Sequence, residues 1–239
     1  TEKGKFYFIK TQSKSILVED LLKKIIPKTI GLISWKKSMK WSEYNLMWGR
    51  PLRSIFARFN NKKLPFKFNH LETTDEIIIE QDLVTKTKKI KDSREYFNFL
   101  KSHKIVVNHK EREEIILKKI TSLCKLKQYK ENLNLRLLEE VVNIVEDPNL
   151  LHISFSKDYL EIPKEIIIST LEKHQRYFPI FDSRDRLTNY FFVVANKKDE
   201  KKLITQGNKR VVEARLADAK FFWDKDRSKN LIKQIGNLK

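Results

Sequence analysis

The longest uninterrupted run of apolar residues in this 239-residue chain covers residues 190–195 and is only six residues long. A membrane-spanning helix needs about 18 or more, so we expect the chain not to cross a membrane. Apolar residues nevertheless make up 40% of the sequence, with only five Gly and six Pro. This composition is sufficient for a packed core and argues against wholesale disorder or a fibrous repeat. The sequence therefore predicts a globular chain with one sizeable domain or two small ones.

Periodic apolar patterns predict both strands and helices, with no internal repeat. A half-buried strand is expected over residues 5–11, and a helix over residues 16–26 that ends at Pro27. The further predicted elements are strands at 55–59, 64–68 and 76–80, a helix after an N-cap at Ser93, helices at 110–127 and 135–146, a strand at 150–155, a helix opening at 162–165, a hairpin over 176–195 and a helix over 199–226. The expected fold class is α+β, with a mixed or antiparallel sheet, packed helices and a long C-terminal helix. We expect an α+β domain at residues 1–198 and a helical segment at 199–239.

The formal net charge of +19 comes from 50 Lys and Arg against 31 Asp and Glu. Such a surface attracts polyanions because neutralising phosphates releases condensed counterions. Nucleic acid or an anionic membrane is therefore the first class of partner to consider. Because most of the basic residues are Lys and the chain is also rich in Ile and Asn, biased codon usage is an alternative explanation of the charge.

Short motifs for local catalytic chemistry are missing from the sequence. It contains no Gly-rich phosphate loop, no Gly-x-Ser-x-Gly elbow and no His-Glu-x-x-His, so phosphate cradling, acyl transfer and zinc hydrolysis have no local signature. No two histidines are three or four residues apart, which excludes a helix-borne metal pair. Cys124 is the only cysteine, which favours a reducing, cytoplasmic setting. We assign no catalytic residue and no metal ligand, and we interpret His174 and Cys124 as packed residues.

Residues 35–53 interleave aromatic and basic side chains, as a surface that stacks bases and contacts phosphates would. The alternative is that the indoles belong to the core and the Lys stems extend over them, and we prefer it for the tryptophans. For four basic residues of this segment, phosphate contact and simple solvation are equal alternatives. These residues are Lys37, Lys40, Arg50 and Arg53.

The helix over residues 199–226 has two apolar sides on a helical wheel. One stripe contains Val212, Leu216, Ala219 and Trp223, and the nearly opposite side contains Ala214, Ala217 and Phe221. Two apolar sides predict two packing partners. Arg215 and Asp218 are three residues apart, a spacing that predicts a structural ion pair. Arg210 has no carboxylate at helical spacing, so a functional role and a structural role are both open for it.

Several segments, in this order and spacing, resemble the beta subunit of the bacterial heterotetrameric glycyl-tRNA synthetase. They are Lys37-Ser38-Met39-Lys40-Trp41, Arg50-Pro51, Ile162-Pro163-Lys164-Glu165, His174-Gln175-Arg176-Tyr177-Phe178-Pro179, Val194-Ala195-Asn196, and the run from Gly207-Asn208-Lys209-Arg210-Val211 to Phe221-Phe222-Trp223. Ser42 stands where this family often has a glycine after the first motif, so a different turn is expected there.

The resemblance implies a ligase, an aminoacyl-tRNA synthetase of protein biosynthesis, in which the alpha subunit holds the glycine site and the site for ATP with Mg. The beta subunit would bind tRNA(Gly), and this chain would be an N-terminal to middle piece of it, without a cofactor or active site of its own. Its expected partners are tRNA(Gly), the alpha subunit and the remaining domains of beta, in the cytoplasm. The family also implies a fold like the editing-type domain of phenylalanyl-tRNA synthetase beta subunits.

The RNA-binding candidates that follow from both lines of argument are Lys37, Lys40, Arg50, Arg53, Arg176, Lys209 and Arg210. The main alternative is a structural inter-subunit module with no direct RNA contact. A further alternative is hydrolytic editing, but the small size of glycine argues against it. Editing serves pockets that must reject smaller isosteres, and no amino acid is smaller than glycine.

Overall fold

The structure, a computed structural model, describes Ile9 and residues 15–81 and 84–228. The chain divides into two compact units, Thr1–Phe99 and Leu100–Lys239. The strand predicted over residues 5–11 lies, apart from Ile9, outside the described residues. The boundary predicted between residues 198 and 199 stays a prediction. Among the described residues, no helix combines the length and the apolar character needed to cross a membrane.

The first unit begins with helix α1, Val18–Gly31, which continues through Pro27, where the sequence predicted its end. Nine short strands follow α1. They are β1 (Met39–Lys40), β2 (Met47–Trp48), β3 (Ile55–Phe56), β4 (Arg58–Phe59), β5 (Lys62–Lys63), β6 (Lys67–Phe68), β7 (Leu71–Thr74), β8 (Glu76–Gln81) and β9 (Val84–Lys89). Helix α2, Ser93–Ser102, spans the boundary between the units.

The strands of the first unit pair mostly with near neighbours in sequence. Strands β1 and β2, β4 and β5, and β8 and β9 form antiparallel pairs. A three-stranded sheet has the order β3-β7-β6, in which β3 and β7 are parallel. Its buried hydroxyl, on Thr73, donates to the carbonyl of Leu64 at 2.8 Å and accepts from the N–H of Phe66 at 3.1 Å. These bonds add to the backbone bond from the N–H of Thr73 to the carbonyl of Phe66 at 3.1 Å, so the polar groups beside these short strands are paired.

The cap of α2 differs from the prediction by one residue. The side chain of Asp92, not of Ser93, accepts from the N–H of Glu95 at 2.8 Å. The Glu95 carboxylate in turn accepts from the N–H of Lys91 at 2.8 Å. This reciprocal arrangement satisfies one donor of the first helical turn, that of Glu95, and one donor just before the helix, that of Lys91.

The second unit is built on one antiparallel sheet with strand order β10-β12-β13-β11. Its strands are β10 (Tyr129–Lys130), β11 (Asn149–Ser154), β12 (Phe178–Asp182) and β13 (Leu187–Ala195). Its helices are α3 (His109–Lys127), α4 (Leu135–Ile144), a 3₁₀ helix (Lys157–Glu161), α5 (Lys164–Ser169), a π-helical segment (Thr170–Gln175) and α6 (Leu203–Ser228). The predicted hairpin is confirmed as β12 and β13, and the α+β class with a long C-terminal helix is confirmed.

Each face of this sheet carries its own hydrophobic core, because successive residues of a strand point to opposite sides. Phe192 of β13 packs with α3 and α4 residues such as Ile120 and Leu138. Phe191, its neighbour, packs on the other face with Leu171 and Leu216 of the π-helical segment and α6. Cys124 of α3 is buried in the first of these cores, as predicted.

The π-helical segment changes the position of His174. The sequence placed His174 on the packed face with Ile167 and Leu171, assuming 3.6 residues per turn. The structure buries Ile167 and Leu171, whereas His174 is exposed. A π-helical turn contains more residues than an α-helical one, so the wheel position of His174 shifts away from the core.

Candidate nucleic-acid interface

Three tryptophans and a phenylalanine form an aromatic cluster at the hairpin of strands β1 and β2. We call residues 35–50, which contain this hairpin, the aromatic hairpin. The Trp48 ring lies 4.9 Å from that of Trp35 and 5.8 Å from that of Phe68, measured between centroids. The indole N–H of Trp41 donates to the carbonyl of Trp48 at 2.9 Å. Trp35 is 41% exposed and the other two indoles are half-buried, so the expectation of core tryptophans is met only in part.

Gly49 fits closely against the Trp35 indole. A Cβ added at Gly49 would lie 2.7 Å from Cε3 of Trp35. Carbon atoms in favourable contact are about 3.5–4.0 Å apart. The sequence therefore needs glycine here for Trp35 to keep its place beside Trp48.

A second aromatic pair, Tyr44 and His70, lies in the same unit. Their rings are stacked, with centroids 3.6 Å apart and planes 6° apart. Asn69 joins the two loops: its amide donates to the carbonyl of Asn45 at 3.3 Å, and its side-chain oxygen accepts from Nδ1 of His70 at 3.1 Å. Sequence reasoning missed this pair because 26 residues separate Tyr44 from His70. The one local signal was the Asn-His turn, where Asn69 has a φ of 54°.

The four RNA-binding candidates of the first unit are all exposed, but they differ in their partners. Arg53 forms an ion pair with the carboxylate of Glu80. In the described part of the chain, Lys37, Lys40 and Arg50 have no carboxylate within ion-pairing distance. These three cations of the aromatic hairpin are therefore free to bind an external anion.

The three candidates of the second unit also differ. Arg176 has a φ of 61°, ion-pairs with Glu140 and donates to the carbonyl of Lys173. Lys209 lies 3.8 Å from the carboxylate of Glu213 on the same helix. Arg210 is exposed and has no hydrogen bond or ion pair within residues 15–81 and 84–228. These contacts give Arg176 a structural role and leave Arg210 open to solvent.

The ion pair predicted between Arg215 and Asp218 does not form. Both side chains are exposed on α6, and no contact between them is present in the described part of the helix. Solvated charges three residues apart gain little from pairing and lose side-chain entropy when they pair. The ion pairs that α6 makes are those of Lys209 with Glu213 and of Lys220 with Asp224 and Glu161.

The second unit also holds a cluster of titratable rings that sequence reasoning did not single out. Nε2 of His152 is hydrogen-bonded to the hydroxyl of Tyr129 at 3.1 Å, and the His152 ring stacks on Tyr190 with centroids 4.7 Å apart. Burial, with the nearby charge of Lys127, lowers the pKa of His152. Burial raises the pKa of Tyr129. Both shifts favour uncharged rings, so the cluster acts as packing and offers no charge to an anionic ligand.

Burial also controls the one thiol. Desolvation, together with the charge of Glu131, raises the pKa of Cys124 to about 11. The thiol is therefore protonated at neutral pH, and a protonated thiol is a poor nucleophile. Within the described residues, no group of three or more His, Cys, Asp or Glu side chains is arranged to hold a metal ion.

A family model described as the glycyl-tRNA synthetase beta subunit matches residues 1–239. The chain belongs to this family. A glycine-tRNA ligase beta subunit from Rickettsia akari is 35% identical over 235 residues, which are 98% of this chain and 35% of that protein. A beta subunit from Rickettsia felis is 33% identical over 236 residues, 98% of this chain and 36% of the relative. One from Buchnera aphidicola is 36% identical over 243 residues, 100% of this chain and 35% of the relative. The chain thus spans about a third of the length of these relatives.

The segments that carried the resemblance occupy defined places in the structure. Lys37 to Trp41 enter strand β1, and Arg50 follows β2. The segment from His174 to Pro179 runs from the π-helical turn into β12. Ser42, at the position of the family glycine, has a φ of 60°. The turn after β1 therefore has the left-handed backbone that glycine adopts most readily.

Proposed function

We propose that this chain is an RNA-binding and scaffolding portion of a glycyl-tRNA synthetase beta subunit. In this proposal it supports the ATP-dependent attachment of glycine to tRNA(Gly) in a cytoplasmic heterotetramer. The names of its relatives as glycine-tRNA ligase beta subunits support the ligase context. The family resemblance assigns the chemistry, with ATP and Mg, to the alpha subunit.

The observation that carries the RNA-binding proposal is the unpaired positive charge of the aromatic hairpin. Residues 35–50 contain four Lys and Arg and a single carboxylate, that of Glu43. Lys37, Lys40 and Arg50 are exposed and lack ion-pair partners among the described side chains. Phosphate groups bind such cations and release counterions, and the neighbouring rings suit contact with bases.

The test is a titration of tRNA(Gly) with the whole chain at several salt concentrations. If about five phosphates are neutralised, a plot of log affinity against log salt has a slope between about −3.5 and −4.5. A flat salt response would contradict direct RNA binding by this chain.

A triple variant locates the binding surface. Replacing Lys37, Lys40 and Arg50 with Ala is expected to weaken tRNA binding and to reduce the magnitude of the salt slope by about two to three. The charge-matched control replaces Lys118, Lys125 and Lys127 of α3, which are also exposed, and is expected to change affinity less. Equal losses in the two variants would reject the aromatic hairpin as the binding surface. Near-identical melting curves would exclude unfolding as the cause.

An inter-subunit module is the second candidate function, and the outward side of α6 favours it. Val212 and Leu216 are buried against the second unit, whereas Val211, Phe221 and Phe222 are 42%, 60% and 58% exposed. The sequence predicted two packing partners for this helix, and the described residues supply one. We propose the alpha subunit or the remaining domains of beta as the other. Binding of the chain to purified alpha subunit, but not to tRNA(Gly), would favour this function over RNA binding.

We also propose that the sheet and helices of the second unit have the editing-type fold of phenylalanyl-tRNA synthetase beta subunits, without hydrolytic editing. The support is the family resemblance of residues 174–195, which contain both β12 and β13. Steric exclusion in a glycine site already rejects larger amino acids. Release of amino acid from mischarged tRNA(Gly) by this chain would overturn that assignment.

A further inference from the structure

The stacked pair of Tyr44 and His70 is an ordered aromatic surface that the backbone-binding role does not use. Two loops bring the rings together, and Asn69 fixes both of them through its hydrogen bonds to Asn45 and His70. The parallel rings, 6° apart in plane, leave Tyr44 with one face covered by imidazole. The position of the phenol ring is therefore set before any ligand arrives, which lowers the entropic cost of binding.

Much of Tyr44 is accessible to solvent although one ring face is stacked on His70. The residue is 46% exposed, and His70 is its single ring partner within the described part of the chain. A buried aromatic normally covers both faces with neighbours. An exposed ring held in place by stacking is suited to accept another flat, aromatic group.

The charge of the segment that contains Tyr44 favours a polyanion that carries such groups. Lys40 is four residues before Tyr44 in the sequence and Arg50 is six residues after it, and both are exposed without an ion-pair partner in residues 15–81 and 84–228, whereas Glu43 is the single carboxylate of residues 35–50. A nucleic acid presents phosphates and aromatic faces at regular intervals. An apolar protein surface would use the rings but would leave the cations unmatched.

We propose that Tyr44 is a stacking platform for an unpaired base of RNA, with His70 as the supporting ring and Asn69 as the positioning residue. This inference rests on the proposed function and adds that the aromatic hairpin contacts bases as well as phosphates. Unpaired bases are accessible to stacking, whereas bases inside a duplex are not. Stacking tolerates any base, so the platform contributes affinity and not sequence readout.

The test compares two single-stranded probes of equal length and charge, an RNA oligoadenylate and an abasic ribose-phosphate oligomer. The whole chain is expected to bind the oligoadenylate more tightly. Tyr44→Leu removes the ring and should weaken oligoadenylate binding by about 5- to 150-fold, with little change for the abasic probe or in the salt slope. Tyr44→Phe keeps the ring and should bind as the unchanged chain does. Phe221→Leu, at another exposed ring, is the matched control and should have no effect.

The results separate this inference from the proposed function. Salt-dependent RNA binding that is the same in Tyr44→Leu and the unchanged chain would overturn the platform and leave backbone binding intact. Failure of the unchanged chain to bind either probe or tRNA(Gly) would remove the proposed function itself. Weaker binding of Tyr44→Leu to alpha subunit, with RNA binding unchanged, would identify the surface as a protein interface and overturn the platform.

Discussion

Ser42 occupies a backbone conformation that costs any residue with a side chain more than it costs glycine. Its φ is 60°, and its side chain is exposed, with no hydrogen bond in the described part of the chain. Left-handed backbone costs a non-glycine residue about 1–2 kcal/mol, and the greater entropy of an unfolded glycine offsets part of the gain. Ser42→Gly is therefore expected to raise the free energy of unfolding by about 0.5–1 kcal/mol, as measured by urea denaturation. Ser42→Ala, which keeps a Cβ, should show no such gain, and equal stability of the two variants would contradict the explanation.

Gly49 provides a second prediction for single residues. Gly49→Ala places a methyl group where the Trp35 indole lies, 2.7 Å from its Cε3 atom. The indole is expected to move away from Trp48, which should change the near-ultraviolet circular dichroism and the tryptophan fluorescence. Gly207→Ala is the control, because a Cβ added there meets no atom within 4 Å. Unchanged spectra for Gly49→Ala would show that the Trp35 contact does not depend on glycine.

At the scale of elements, Asp199 determines where α6 begins. Its carboxylate accepts hydrogen bonds from the N–H groups of Ile204 at 2.9 Å and Thr205 at 2.7 Å, and from the Thr205 hydroxyl. Partial desolvation acts to raise the pKa of Asp199, but the hydrogen bonds from Thr205 and Ile204 outweigh it and lower the pKa below the ordinary value of 3.8. The charged Asp199 carboxylate therefore stabilises the folded state fully above pH 3.8. This stabilisation is lost as the pH falls through the lower, folded-state pKa.

Asp199→Ala should lower the melting temperature at neutral pH, because two N–H groups at the start of α6 lose their acceptor. The difference from the unchanged chain should shrink as the pH falls below 3.8 and through the lower, folded-state pKa of the Asp199 carboxyl group. Thermal melts followed by circular dichroism at several pH values measure this. Asp226→Ala, at the exposed far end of the helix, is the control. A difference that stays constant with pH would contradict a role for the charged carboxylate.

The elements that sequence predicted well are those whose apolar pattern is long and regular. Helices α3 and α4 and the β12–β13 hairpin belong to this group, because each buries one face along its length. Strand β9 was missed because all its residues are exposed, so it has no apolar alternation to detect. The strands predicted at 55–59 and 64–68 contain the two-residue strands β3, β4 and β6, but the apolar pattern did not show that they are so short. The π-helical segment altered the wheel position of His174. Local periodicity does not encode such departures.

The candidate interface was predictable by residue type and not by contact. Lys37, Lys40 and Arg50 followed from the alternation of aromatic and basic residues along one segment. Arg53 forms an ion pair with Glu80, and Arg176 forms one with Glu140. Both partners are distant in sequence. The stacking of Tyr44 on His70 likewise depends on two loops meeting. Pairing between remote segments is a property of the fold, and one sequence does not disclose it.

At the scale of the whole molecule, one strand supports two cores of the second unit. Phe191 of β13 is 0% exposed and packs on the side of α6. Phe191→Ala should lower the free energy of unfolding by about 3–5 kcal/mol, because it removes buried surface and leaves a cavity. Urea denaturation gives this value, and Phe221→Ala, at a residue 60% exposed, should change it by no more than about 0.5 kcal/mol. Similar losses for both variants would contradict the placement of the core.

The hydroxyl of Thr73 has a consequence for how the first unit tolerates change. Its bonds to Leu64 and Phe66 add to the backbone bond from the N–H of Thr73 to the carbonyl of Phe66 at 3.1 Å. Valine has the same shape as threonine, but Thr73→Val would leave the carbonyl of Leu64 and the N–H of Phe66 without these hydrogen bonds and away from water. The first unit therefore depends on one oxygen atom for two hydrogen bonds, and a substitution that keeps the shape of the side chain does not keep its contribution to the fold.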